Sequence, residues 1–259
     1  MPRKTPRGTA GGTGLISVHA DDGAMEAWCL IRQEVFPRPL HLVTVMSRSN
    51  HVAQASATRL PRHSVSAVRR AEDRRFGRAC GLFPHNLGFS DRAPRSCRRH
   101  SALVERICGR LVRIVRRLQC SLLVSPFPHG ENVHPHHLAV FRAAELAVTV
   151  LAGVELVLVD DVPYSRIPFG EKVVLNGTEY VPLVLHLSRD DLAAKTRLIR
   201  RCYGSQMCPR YFRALSRPAP GDRQASAGES LRVPAHLRAA FADRLRDPER
   251  SPADEGVAV

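Results

Sequence analysis

The chain has 259 residues, of which 44% are hydrophobic and 24% charged. This is a globular composition, long enough for one large domain or two small ones. No apolar run approaches the roughly 18 residues of a membrane span, so no membrane role is expected. The seven Cys include no Cys-x-x-Cys pair, which excludes a disulfide scaffold and makes a reducing cytoplasm the expected compartment. The net charge is +15, yet Arg outnumbers Lys 36 to 3. The most basic stretch, residues 59–117, has only Phe76, Phe83 and Phe89 as aromatics. Lacking a stacking platform, it reads as a solvated basic face rather than a nucleic-acid surface.

Residues 1–13 read as a basic leader without the apolar centre of a signal peptide. The short apolar run Leu15–His19 predicts a buried strand, and Asp21 and Asp22 open a helix over Gly23–Gln33. Leu40–Val45 reads as a second strand and residues 48–63 as a polar loop. Ser64–Cys80 has a helical period, with Val65, Val68, Glu72, Phe76 and Ala79 on one face. Glu72 stands out on that stripe, and Arg69, three residues earlier, offers it an ion pair at the helix surface.

Ala102–Gln119 predicts a cleaner amphipathic helix, with Leu103, Ile107, Leu111, Ile114 and Leu118 buried and Arg106, Arg110, Arg113 and Arg117 wet. Ser121–Ser125 is a third strand and residues 129–133 a loop. Pro135 suits the first turn of the next helix, where its missing N–H costs little. Strands over Val154–Val159 and Tyr180–Leu185 and a helix over Asp190–Tyr203 follow. Residues 217–231 read as linker, Ala235–Leu245 as a last helix and the final dozen residues as frayed. The expected organisation is a leader (1–13), one domain (14–215) and a linker, short helix and tail (216–259). Strands alternating with helices predict an α/β domain with a mostly parallel sheet.

Two clusters carry chemistry. His19-Ala20-Asp21-Asp22 follows the first strand, and His134-Pro135-His136-His137 opens a helix after another. In a parallel α/β sheet both lie at the carboxyl ends of strands, where ligands bind. Each alone has a plainer explanation: an Asp pair before a helix caps it, and the histidines could form a surface loop. Together they make a metal site. Two nitrogens and one carboxylate leave a coordination position for water, as in catalytic zinc centres, and the second Asp is available to take the proton of that water. The helix dipole is expected to keep His137 neutral. The other histidines read as structural or surface groups, and the cysteines as small hydrophobes.

These residues resemble the PIG-L/LmbE-like zinc-dependent N-deacetylases. Leu15-Ile-Ser-Val-His19-Ala20-Asp21-Asp22-Gly23 matches the opening strand and His-Pro-Asp-Asp-Glu motif. His134-Pro135-His136-His137 matches the later His-Pro-Asp-His. Between them Arg69-Arg-Ala-Glu72 fits an Arg-x-x-Glu helix, and Asn86-Leu-Gly-Phe-Ser-Asp91 resembles a Leu-Gly-x-x-Asp turn. Asp161-Val-Pro-Tyr164, Lys195 and Tyr203-Gly-Ser-Gln206 look like later elements. The order and spacing agree over roughly residues 14–210.

The resemblance implies a Rossmann-like three-layer fold and one divalent cation per chain, zinc in most members, attached to His19, Asp22 and His137. It implies that Asp21 is the general base and that His134 stabilises the oxyanion and assists proton delivery. Arg69 and Asp91 would touch the substrate, with Glu72 and His136 behind the reacting groups. The implied reaction is hydrolysis of an N-acyl amide by a metal-bound water. The implied partner is a small N-acylated molecule, an acetamido sugar in most members; a non-sugar or thiol-conjugate amide of secondary metabolism is the alternative, and a non-catalytic basic binding protein on the same scaffold is the third reading. A homo-oligomer is compatible with all of this. Three departures stand out: Ala20 for Pro, Gly23 for Glu, and His136 for the Asp that would orient His134 and raise its pKa.

Overall fold

The computed structural model describes residues 11–49, 61–92, 97–128, 133–161, 171–206 and 228–246. The apolar run around Leu15 and Ile16 becomes β1 (Gly12–Ser17), buried along its whole length, as a central parallel strand covered on both faces must be. The remaining elements are α1 (Asp22–Arg32), β2 (Leu40–Thr44), α2 (Arg62–Cys80), β3 (Leu82–Asn86), α3 (Cys97–Leu118), β4 (Cys120–Phe127), α4 (Pro135–Val150), β5 (Glu155–Asp160), β6 (Val173–Leu175), β7 (Thr178–His186), α5 (Arg189–Cys202), β8 (Gly228–Pro234) and α6 (Arg238–Arg246).

One eight-stranded sheet runs in the order β3-β2-β1-β4-β5-β8-β7-β6. The first five strands are parallel and the last three pair antiparallel. One core lies under α1, α2, α5 and α6, around Trp28, Phe36, Phe76, Ile199 and Phe241. The other lies under α3 and α4, around Ile107, Leu111, Val140 and Phe141. The result is three layers, helix on sheet on helix, as expected. The order reverses between β1 and β4, which opens a crevice at their carboxyl ends.

Several expectations need correction. β3 lacks a continuous apolar run, since Pro84, His85 and Asn86 interrupt it. It forms because it lies at the sheet edge, where the missing N–H of Pro84 leaves no ladder bond unmade. β6 and β7 are joined by Asn176 and Gly177, both at positive φ, the backbone of a tight hairpin turn. Gly228–Pro234 is not linker but a strand between β5 and β7. Its Glu229 accepts from the Cys29 and Leu30 N–H groups at 3.0 and 2.9 Å and from Lys195 Nζ at 2.7 Å. Lys195 also donates to the Met25 carbonyl, so this buried ion pair is set into the middle of α1.

The buried stripe of α2 is also rotated from the expected one. Val68 and Ala79 face outward, while Val65, Arg69, Glu72, Asp73 and Phe76 face inward. Specific partners hold the polar members inside, which apolar periodicity does not register. On α3 both the apolar stripe and the exposed arginines lie where expected. Among the described residues no helix is long and apolar enough to cross a membrane. The leader residues 1–10, most of the 48–63 loop, the 129–132 turn and most of the linker fall outside the described residues.

Candidate metal centre and active site

The turn from β1 into α1 is built by Ser17. Its hydroxyl donates to the His19 carbonyl and accepts from the Gly23 N–H at 3.0 Å. A Cβ at Gly23 would stand 3.0 Å from Leu42 Cδ1, so glycine lets α1 lie close on β2. Asp21 occupies the N-cap position but makes no side-chain cap. The plain capping explanation of the Asp pair therefore fails, and both carboxylates serve other partners.

Asp22 Oδ2 accepts from the His19 backbone N–H at 2.7 Å and lies 3.2 Å from His19 Nδ1. From the α4 side His137 Nε2 comes within 3.5 Å of the same oxygen. His19, Asp22 and His137 thus point one donor atom each into a common space. Burial opposes the charge of Asp22, but His137 and His19 outweigh it and hold the carboxyl well below the usual range.

His137 Nδ1 lies 2.8 Å from Asp161 Oδ2, both residues being buried. This contact fixes the ring and leaves Nε2 facing Asp22, the second-sphere arrangement usual for a metal-binding histidine. Burial disfavours the imidazolium, yet the carboxylates of Asp161 and Asp22 overcome it and lift His137 to about 9. The helix dipole, expected to keep this ring neutral, is the weaker influence because two full charges lie nearer.

His134 is the N-cap of α4, and its Nδ1 accepts from the His136 N–H at 3.2 Å. The ring proton therefore sits on Nε2. Burial, then His19 and His137, push its pKa down to about 4. The raised value a neighbouring Asp would give is absent, as the His136 departure implied. His136 falls to about 4 through burial, His19 and His134, and its Nδ1 lies 3.1 Å from His19 Nε2.

Arg69 donates to Asp21 Oδ1 at 2.6 Å, both side chains being buried. The expected surface pair between Arg69 and Glu72 is replaced by this contact. Glu72 is 1% exposed and accepts from Ser205 N and Oγ at 2.8 and 2.7 Å. Asp73, one residue on, accepts from Thr44 Oγ1 and Tyr203 OH at 2.7 and 3.1 Å. Asp91 accepts from Ser49 Oγ at 2.6 Å. It lies near enough to His136 to favour that ring's charged form, though burial prevails.

The fold therefore brings His19, Asp21, Asp22, His134, His136, His137 and Arg69 to one crevice, with Glu72 one helical turn behind Arg69 and Asp91 beside His136. Sequence reasoning gave no role to Asp161, Asp73 or Glu26. Glu26 is 2% exposed and close to Asp161 and His137, and neither of its oxygens has a hydrogen-bond partner among the described residues. Its signal was an acid on the buried face of α1, one turn beyond Gly23. A separate groove of about 730 Å³ is lined by His85, Arg110, Arg113 and Arg117 and by none of the crevice residues.

Among solved structures, the A40926 pseudoaglycone deacetylase Dbv21 is 18% identical over 86% of this chain and 96% of its own, with a TM-score of 0.64. The zinc-inhibited form of teicoplanin deacetylase Orf2 is also 18% identical, covering 85% and 96%, at 0.64. The 4-carboxy-2-hydroxymuconate hydratase GalB of Pseudomonas putida is 15% identical, covering 85% and 95%, at 0.56. Deacetylases and a hydratase share this fold, so the fold alone does not decide the chemistry. No curated protein matches the chain in sequence. The family model PIG-L, described as GlcNAc-PI de-N-acetylase, matches residues 15–148. That span holds both histidine motifs and the Arg69–Glu72 helix, and the chain belongs to the PIG-L family of de-N-acetylases.

Proposed function

We propose that the protein is a zinc-dependent hydrolase that removes an acetyl group from the nitrogen of an amino sugar. One observation carries this reading. His19, Asp22 and His137 converge on one point, and beside them stands a second carboxylate, Asp21, that the cation does not need and that Arg69 holds in place.

The donor set fits the metal. Ligand atoms about 2.0–2.1 Å from a tetrahedral zinc stand roughly 3.3 Å apart. The Asp22 oxygen lies 3.2 Å from His19 Nδ1 and 3.5 Å from His137 Nε2. Three protein donors leave one position for water or substrate, the pattern of a catalytic centre. A divalent cation held there supplies a Lewis acid that polarises the acyl carbonyl and acidifies water.

The chain's own groups divide the remaining work. Arg69 engages Asp21 Oδ1, and Oδ2 is the oxygen left to accept a proton from the attacking water. The water oxygen adds to the acyl carbon, and the carbonyl electrons move onto its oxygen. His134, neutral and protonated on Nε2, donates a hydrogen bond to that oxyanion. The proton held by Asp21 then passes to the amide nitrogen as the carbon–nitrogen bond breaks. Acetate and a free amino sugar leave. With its pKa near 4, His134 acts at neutral pH as a hydrogen-bond donor and not as a general acid. Arg69 and Asp91 are the groups this reading assigns to substrate.

A second reading keeps the chemistry and enlarges the substrate to an amino sugar carried on a glycopeptide-type natural product. The likeness to glycopeptide deacetylases, which extends over 96% of their length, favours it. A panel of free acetamido sugars, glycopeptide-borne acetamido sugars and non-sugar amides tests both. Release of acetate from free sugars supports the first reading. Release from the glycopeptide alone supports the second. Turnover of non-sugar amides alone overturns both.

A further inference from the structure

We propose that the crevice holds a second, weaker divalent-cation site formed by His19, His134 and His136. It rests on the proposed function only in sharing His19 with the first site. The chemistry of the donors carries the inference. Each of the three imidazoles can bring one ring nitrogen within 4.8 Å of the other two. The His134 and His136 rings lie 4.7 Å apart, and both lie about the same distance from His19, at 5.5 and 5.4 Å. His19 Nε2 and His136 Nδ1 are 3.1 Å apart, close to the roughly 3.3 Å edge of a tetrahedral zinc site.

His19 is oriented for both duties. Its Nδ1 faces Asp22 in the first site and its Nε2 faces His136 in the second. This second donor set is all nitrogen, which suits zinc, copper, nickel and cobalt better than magnesium or calcium. His136 is what creates it, because it supplies an imidazole where the family motif has a carboxylate.

Three physical terms make this second site the weaker one. The two cations repel each other across a single imidazole ring, which must give up its remaining proton when both nitrogens are used. Engaging His134 through either nitrogen also removes the hydrogen bond by which its Nδ1 caps α4. If Nδ1 binds the cation its lone pair is taken, and if Nε2 binds, the proton moves to Nδ1. Filling the second site therefore withdraws His134 from the oxyanion and disturbs the start of α4, so excess cation inhibits.

The test is titration of chelator-stripped full-length protein with Co²⁺, followed by visible absorption and by metal per chain after gel filtration. The wild type is expected to take one cation tightly and a second at least tenfold more weakly. His136→Asn, close in shape but a poor ligand, is expected to keep the first and lose the second. His137→Ala is expected to weaken the first. The amide resonance of His136 should shift only with the second equivalent. A single cation that His136→Asn and His134→Gln leave unchanged would overturn the second site while leaving the first intact. A single cation lost in His136→Asn and retained in His137→Ala would support the three-histidine site and overturn the ligand set of the proposed function. No binding by any form would overturn both.

Discussion

Arg69 Nη2 lies 2.6 Å from Asp21 Oδ1, with both side chains almost wholly withdrawn from solvent. The pair joins the middle of α2 to the turn after β1, and it holds the carboxylate that the proposed reaction uses as its base. A buried guanidinium and carboxylate in this geometry stabilise each other only as a pair.

Asp21→Asn is expected to lower kcat by about 10²–10⁴-fold, the range for loss of a general base. Metal content should change little, whereas thermal stability should fall, because Asn still accepts from Arg69 but no longer balances its buried charge. Turnover and metal per chain measured on the same preparation check this. Full activity in the variant would remove Asp21 from the mechanism.

Arg69→Met leaves the Asp21 carboxylate buried and alone. Breaking such a pair costs about 3–5 kcal/mol, measurable as a fall in the urea midpoint. The Arg69→Met/Asp21→Leu double variant should recover most of that stability and none of the activity.

Asp161→Asn removes the charge that holds His137 Nδ1 at 2.8 Å. Loss of such an outer partner typically weakens a metal site by about 10–100-fold. Competition with a chromophoric chelator reads the change, and an unchanged affinity would mean that backbone packing alone orients His137.

Asp73 gives a pH signature. Burial pushes its carboxyl up to about 7, against the hydrogen bonds of Thr44 and Tyr203 that favour its charge. A carboxyl raised on folding adds stability when protonated. That contribution is complete below the unfolded value of about 3.9 and is lost as pH rises through about 7. Asp73→Asn should therefore flatten the fall of Tm between acid and neutral pH and raise Tm above neutrality. Parallel Tm profiles of the two proteins would exclude this residue as the source.

Glu229→Ala should unfold a large part of the chain's stability, about 3–5 kcal/mol for stranding Lys195 without its partner. The same contact predicts that a chain ended at Ala219 lacks both β8 and this ion pair and does not fold cooperatively, as circular dichroism melting would reveal.

The alternation of apolar strands and amphipathic helices determined the layer architecture, because burial on a sheet or helix face leaves a period in the sequence. The two histidine clusters were legible for a related reason: each follows a strand, the first at once and the second after a loop, and parallel strands place their carboxyl ends on one rim. Residues that act through distant partners left no such mark. Glu72 and Arg69 are three apart in sequence, which suggested a pair, but Ser205 and Asp21 are their partners. Asp161 became an orienting group only because β5 ends beside α4, and Glu229 only because a segment rich in Gly, Ser and Arg threads between two strands. Local periodicity encodes which face is buried. Which polar groups meet there is decided by long-range packing, since a buried charge persists only where the fold brings it a partner.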